Sequence, residues 1–428
     1  DIEMGGMDGV SLARSIRRED EAVQIVFLTG YSDYIAEGYD VAALHYLMKP
    51  VDRTKLFSVL DRAAEKLMEY MHQSGLVVRR DSVGNLHGVL PATESGTGTL
   101  YLGSHLDTVR DGGLYDGALG IIAGVECVRR FAREQPQRAF DLHVLATNGE
   151  EGNDLGGTFG SRCMMGLVDL DQPGYLDIAA RFGLSREDME NARLDTSDAL
   201  GYLELHIEQG KTLDEAGEDL GVVTGIVGLR RWQISVLGEA NHAGTTMMEF
   251  RHDAMVAASK LIVRIDTMAR EYGHDLVATV GKFELFPNSA PVVPGRAEMV
   301  LEVRSRDDAR MTAFFERVKA AAAEIPEVEF RFAPIVAKAP VQCDERLIAA
   351  LERACRSSGL RWREMASGAT HDGNAFAMKM PIGMLFVPSR GGISHNKKEF
   401  TTWEQIGSGV ETLYQALLEL NRQYMEGV

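Results

Sequence analysis

Thiols are scarce in this chain, and none is paired in a C-x-x-C motif. Cys127, Cys163, Cys343 and Cys355 are far apart in sequence, which excludes a zinc knuckle and a redox dithiol motif. A reducing compartment is expected. No apolar run is long enough to cross a bilayer and no signal-peptide pattern opens the sequence, so a cytoplasmic location is the expectation. Positive charge is also in deficit. The formal net charge of −18 argues against nucleic acid or an anionic membrane as the main partner. There is no internal repeat and no low-complexity tract. What remains is a chain of 428 residues, 45% hydrophobic and 25% charged. That is ordinary globular composition, long enough for two or three domains and a full core.

The hydrophobic pattern alternates between strand and helix. Residues 1–62 read as helix Val10–Arg18, buried strand Gln24–Thr29, helix Tyr34–Val41, strand Leu44–Pro50, and the start of a long helical stretch, Asp52–Tyr70. A helix over Ala63–Ser74 stops at Gly75. Beyond it, Leu76–Asp81, Thr99–Gly103 and Phe140–Thr147 read as strands and Leu119–Arg133 as a helix. Such alternation predicts an α/β, doubly wound sheet, with ligands on loops beyond the carboxyl ends of strands. Residues 211–326 read differently. Strand-like runs in Gly221–Leu237 precede a helix at Asp253–Tyr272, alternating strands Leu276–Phe286 and Ala297–Arg304, and a helix at Ala309–Ala323. That order suits an α+β sandwich inserted into the larger domain. The expected units are therefore 1–62, 63–210, 211–326 and 327–428.

Acidic residues and histidines gather in a few glycine-flanked strings. In Gly103-Ser104-His105-Leu106-Asp107, residues i and i+2 of an extended segment share a face, so Asp107 can orient His105. A polar strand end with a capping Asp is an equal reading. A lone Asp116 before a helix is more often an N-cap; beside His105 and Asp107, that reading loses ground to a bridging carboxylate. Glu150 and Glu151 stand between Gly149 and Gly152 after a buried strand. Neighbouring side chains diverge, which divides the labour: Glu151 as ligand, Glu150 as general base and then acid. His206 lies in an alternating strand whose polar face is Glu204, His206 and Glu208. His395 follows a glycine-rich loop after the apolar strand Ile382–Val387. Imidazoles and carboxylates together are the donor set of zinc or manganese. His371-Asp372 is a similar loop pair, whereas His45, His72, His87, His143, His252 and His274 read as surface or core residues.

Residues 1–62 resemble the C-terminal half of a response-regulator receiver domain, a partial flavodoxin-like fragment. Asp1-Ile2-Glu3-Met4, Met7-Asp8-Gly9, Thr29 and Lys49-Pro50 carry the resemblance. It implies Asp1 as phosphoacceptor, Thr29 as switch residue and Lys49 as partner of the phosphoryl group. Gly5-Gly6 stands where Pro-Gly is usual. The sequence opens at Asp1, with no earlier strand or acidic magnesium pair, so the segment is expected to be inert as a phosphorylation switch.

Residues 63–428 resemble the dinuclear-metal amidases that hydrolyse N-carbamoyl-L-amino acids, allantoate and related ureido acids, relatives of the aminoacylase and metallocarboxypeptidase group, which implies a metallo-aminopeptidase-like catalytic domain. The resemblance implies two divalent ions, zinc or manganese with cobalt or nickel as alternatives. His105, Asp116 and His206 would hold one ion, and Asp116, Glu151 and His395 the other. Asp107 would orient His105, and Glu150 would be the base. Gln209, His242, Asn288, Arg304 and Gly392 would contact a small carboxylate substrate. The inserted domain would act as lid and homodimer interface, bringing His242 to the partner's site. Met247 stands where the family usually has Pro, and Pro291 where it has Asn, which leaves the substrate open. Two other readings remain: a receiver-containing signalling protein with a hydrolase-like output, and a non-productive fusion.

Overall fold

The computed structural model describes residues 9–19, 25–29, 41, 45–48, 53–93 and 98–427. The chain divides into two compact units, residues 1–80 with 86–90, and residues 81–85 with 91–428.

In the first unit, α1 (Gly9–Glu19) precedes two parallel strands, β1 (Val26–Thr29) and β2 (His45–Met48), paired Val26 to His45 through Thr29 to Met48. Val10 and Ala13 of the helix pack with Phe27 and Val41 in a small core. Helix α2 spans Arg53–Gln73 without a break, so the boundary expected at 62/63 falls inside one continuous helix. Both segments read as helical, and periodicity alone carries no sign of a change of unit. β3 (Val77–Arg80) and β4 (Leu86–Leu90) form an antiparallel hairpin. Gly88 of β4 lies against Met71 and Leu76, which leaves no room there for a side chain. Asp1, Lys49 and the helix expected at Tyr34–Val41 lie outside the described residues, apart from Val41 itself.

The second unit is built on a sheet whose strands include β5 (Thr99–His105), β6 (Asp141–Thr147), β7 (Ala199–Ile207) and β8 (Leu220–Ile226). β5 runs parallel to both β6 and β7. Its interior strands are buried on both faces, which explains their apolar runs. On one face lies α3 (Ala118–Glu134), where Cys127 Sγ donates to the Val410 carbonyl and Phe131 meets Tyr414 edge-on. On the other face, Tyr202 packs against Phe376.

A smaller antiparallel sheet follows, made of β9 (Gly228–Leu237), β10 (Leu276–Phe286), β11 (Arg296–Ser305) and β12 (Glu329–Lys338), in the order β10-β11-β9-β12. Helices α4 (Ala254–Arg270) and α5 (Asp308–Ala323) cover one of its faces. Trp232, Ile234 and Val236 pack there with Leu261, Met299, Leu301 and Phe314. The alternate residues Arg231, Gln233 and Ser235 bond to Glu302 and Glu298 on the opposite face.

Strand pairing moves the boundaries of the inserted unit. β8 pairs with β13 (Val341–Gln342), β14 (Trp362–Ser367) and β15 (Ile382–Val387) of the large sheet, so residues 211–227 do not belong to the small sheet. β12 pairs with β9 along its length, so the small sheet extends to Lys338 rather than 326. An apolar alternation marks a strand but does not say which sheet it joins. Helix α6 (Glu345–Ser358) and the final helix α7 (Trp403–Glu426) complete the α/β part. No described helix is long and apolar enough to cross a membrane.

Candidate active site

Three parallel contacts set the site. β5 pairs in parallel with β6 and β7, and β7 with β15. Their carboxyl ends therefore lie along one edge, where an open α/β sheet binds ligands. His105 ends β5, His206 is the penultimate residue of β7, Glu150 and Glu151 follow β6, and His395 follows β15.

At the centre is Asp116, buried just before α3. Its Oδ1 lies 3.5 Å from His105 Nε2 and 3.3 Å from His206 Nε2. Its Oδ2 lies 3.1 Å from His395 Nε2, which is 3.2 Å from Glu151 Oε1. Both buried imidazoles are oriented from behind by backbone carbonyls: His105 Nδ1 is 2.7 Å from the Asp107 carbonyl and His206 Nδ1 is 2.9 Å from the Ile207 carbonyl. With an ion in place, each Nδ1 would keep its proton and each Nε2 would offer its lone pair to that ion. The two Nε2 atoms are 3.5 Å apart, and Asp116 Oδ1 has no hydrogen-bond donor. Two imidazole nitrogens converging on an orphaned, buried carboxylate oxygen suit a cation. His105, Asp116 and His206 form one group of donor atoms within 4.8 Å of one another, and Asp116, Glu151 and His395 form a second. The residues present fit two divalent ions sharing Asp116.

Charge in this pocket is strongly perturbed. Burial pushes Asp116 up, yet His105 and His206 hold it well below the usual carboxylate range. Burial alone would lower His105; Asp116, with Glu150 and Asp372, raises it well above the usual value instead. Glu150 is pushed well above the usual carboxylate range, first by burial, with His105 opposing and Asp372, Glu151 and Asp107 adding to it. A carboxyl so raised holds and releases protons nearer to neutral pH.

Asp107 acts differently from the expectation. Its side chain does not orient His105; its backbone carbonyl does. The chain leaves the extended conformation after His105, so the shared face of i and i+2 ends there. The carboxylate instead accepts the backbone N–H groups of Gly149 at 2.7 Å, Glu150 at 3.0 Å and Glu151 at 3.0 Å, and so fixes the loop that carries both glutamates. Glu208 does not converge with His206, whereas Glu204 forms a third group of donor atoms with His206 and His371. Glu208 accepts from the Thr212 and Leu213 backbone, while Glu204 takes the Ser104 hydroxyl at 2.6 Å inside the sheet.

Gln209, in the left-handed region at φ 59, donates from Nε2 to Asp116 Oδ2 at 3.1 Å. Arg304 donates to Glu302 and to the Gly368 carbonyl and lines the cleft of about 340 Å³ around the donor groups. Gly392, at φ 67, sits where a Cβ would lie 2.6 Å from Lys211 Cβ, so the loop before His395 closes on Gln209-Gly210 only with glycine there. Gly117 does the same beside His105, with 2.4 Å to the ring. His242 and Asn288 are not brought to this cleft; both are exposed on the small-sheet part of the chain.

Residues that the motif reading did not place in the site also converge there. His371 is buried edge-on to His206, with Nε2 at 2.7 Å from Ser367 Oγ, and burial followed by the two histidines keeps it well below the usual imidazole value. Asp372 takes the hydroxyls of Thr147 and Ser161. Buried Glu399 accepts the Tyr115 and Asp116 N–H groups on one oxygen and the Ser394 hydroxyl on the other, joining the Asp116 and His395 segments. The His371-Asp372 pair in its glycine-bounded loop was the one available signal; Glu399 gave none.

Fold and site together define a class: an α/β protein with candidate metal-ligand clusters at its sheet edge and a buried carboxyl, Glu150, beside them. The sequence profile of peptidase family M20/M25/M40 matches residues 101–419, and that of the response regulator receiver domain matches residues 1–61. An N-carbamoyl-L-amino acid amidohydrolase of Geobacillus stearothermophilus is 36% identical over 371 residues, which is 84% of this chain and 90% of that protein. An allantoate amidohydrolase of Bacillus subtilis (strain 168) is 35% identical over 373 residues, 82% of this chain and 88% of that one. An amidase of the hydantoinase/carbamoylase family from Burkholderia multivorans has a similar solved structure, with a TM-score of 0.75 at 28% identity over 85% of this chain and 91% of the other. The chain belongs to peptidase family M20/M25/M40 and is an enzyme that hydrolyses amides.

Proposed function

We propose that this enzyme hydrolyses a linear ureido or amide C–N bond, in an N-carbamoyl-L-amino acid or an allantoate-type ureido acid. The observation that carries the reading is Asp116, with one oxygen turned to His105 and His206 and the other to His395, which itself meets Glu151. Two divalent ions held there, zinc or manganese with cobalt or nickel as substitutes, would act as Lewis acids toward the substrate carbonyl and the attacking water. Glu150 takes a proton from that water and delivers it to the leaving nitrogen as the C–N bond breaks. Asp107 keeps Glu150 and Glu151 in register through their backbone. Arg304 grips the substrate carboxylate in a planar fork, with Gln209 and Gly392 beside it. His242 and Asn288 reach a site through a homodimer, which is supported by the exposed apolar residues Met247, Met248, Phe250 and Val263 of the small-sheet part. A reducing, cytoplasmic setting is supported by the four buried free cysteines.

The test is a panel of N-carbamoyl, N-acyl and ureido acids offered to protein stripped by chelator and reloaded with single metals. Stripping is expected to abolish turnover and reloading to restore it. Full activity in metal-free protein would refute the reading.

A further inference from the structure

The small sheet carries a group of cations of which the proposed reaction uses only Arg304. Arg304 of β11 and Lys338 of β12 both lie directly opposite Leu229 of β9, one on each side. Arg231, two residues along, lies opposite Glu302 and Val336. Opposed residues on neighbouring antiparallel strands share a face, as do residues i and i+2. Arg231, Arg304 and Lys338 therefore project from one face, the one away from α4 and α5. All three line the cleft that holds His105, Asp116 and Glu150.

The placement of Lys338 depends on one irregularity. The register of β12 shifts between Pro334 and Val336, which leaves Ile335 as the extra residue of a β-bulge. Before it, Phe330, Phe332 and Pro334 oppose Val236, Ile234 and Trp232 on the helix-covered face. Without the extra residue, Lys338 would continue that alternation and point at the helices. The bulge reverses the parity and turns the lysine into the cleft.

Charge there is unbalanced. Glu302 alone serves two guanidinium groups, Arg231 at 2.5 Å and Arg304 at 2.7 Å. Among the described residues the Lys338 ammonium has no ion pair. Arg162 adds positive charge nearby while donating to the carbonyls of Leu155 and Gly157. Lys338 stays accessible from the cleft, yet its surroundings lower its pKa, first by burial and then through Arg162, Arg231 and Arg304, with Glu150 opposing. Asp116 and Glu151 are committed to the ions and Glu150 to proton transfer, so none of them balances these cations. A bound anion would.

We propose that Lys338 and Arg231 form a second anion subsite beside Arg304, so that the preferred substrate is the N-carbamoyl or ureido derivative of a dicarboxylic amino acid. The inference rests on the reading of the site as a ureido-acid hydrolase. Strands two apart are separated by about 10 Å, a span that the long side chains of Arg304 and Lys338 close onto a short diacid.

Calorimetric titration of metal-loaded Glu150→Gln protein tests it, with N-carbamoyl-L-aspartate and N-carbamoyl-L-glutamate against the uncharged N-carbamoyl-L-asparagine and N-carbamoyl-L-glutamine. The diacids are expected to bind on the order of 10-fold tighter, the scale of one charged hydrogen bond. Adding Lys338→Met should remove that advantage while changing affinity for the amides far less, and Lys338→Arg should keep it. Equal binding of diacids and amides, or an equal loss for both in Lys338→Met, overturns the subsite. If diacids are preferred but wild-type protein hydrolyses no ureido acid, the subsite stands and the proposed reaction falls.

Discussion

The two halves of the candidate metal-ligand cluster share Asp116 yet are built differently. His105 and His206 are buried on interior strands, each ring pinned by a backbone carbonyl. Glu151 and His395 come from loops, and the His395 side chain is 49% exposed with a left-handed backbone at φ 53. One half is preorganised by the sheet; the other is held by the Asp107 and Glu399 carboxylates that brace its loops. Preorganised ligands lose little freedom on binding, whereas loop ligands must be ordered. An ion in the buried half should therefore be held more tightly.

The largest effect should come from removing what the halves share. Asp116→Asn is expected to empty both and abolish turnover, as elemental analysis and an activity assay would show. Retention of two ions would mean that Asp116 is not the bridge. Glu150→Gln should lower turnover on the order of 10²- to 10⁴-fold with metal content unchanged, which separates the base from the ligands of either half. A fall in metal content instead would make Glu150 a ligand.

The contrast itself is sharpened by a pair of variants. His395→Asn should release one ion and keep the other through mild chelation. His206→Asn should weaken the tighter ion on the order of 10- to 100-fold or more, the scale seen even for indirect partners of a metal. Similar release profiles for the two would remove the distinction. The smallest effect lies behind the buried half. Burial raises Glu204 from 4.5 to about 7, so between those values the folded chain holds a proton that the unfolded chain has released. Stability from this group is complete below pH 4.5 and is lost as pH rises through 7. In metal-free protein, Glu204→Gln should flatten the fall of Tm across that window by a few degrees. An unchanged slope would show that Glu204 does not titrate there.

Much of this was legible in the sequence because the interior strands and long helices carry unmistakable periods. Leu276–Phe286 has the same bounds as the observed strand, and Leu119–Arg133 falls one residue inside the observed helix at each end. The ligand strings were legible too, since each couples a strand end to glycine-flanked acids or histidines. Sheet membership was not: β8 and β12 look like their neighbours, and only pairing assigned them. Lys338 was hidden for a related reason, because a bulge one strand-turn earlier decides its face.

By itself the sequence determined the donor types, the alternation that makes a doubly wound sheet, and the family to which the chain belongs. Tertiary structure decided which atoms meet. It assigned the His105 contact to the Asp107 carbonyl rather than its carboxylate, drew His371 and Glu399 to the site, and set three cations around Leu229. The reason is physical: side-chain chemistry is written residue by residue, whereas convergence depends on register and on where the chain turns, both set by packing across distant segments.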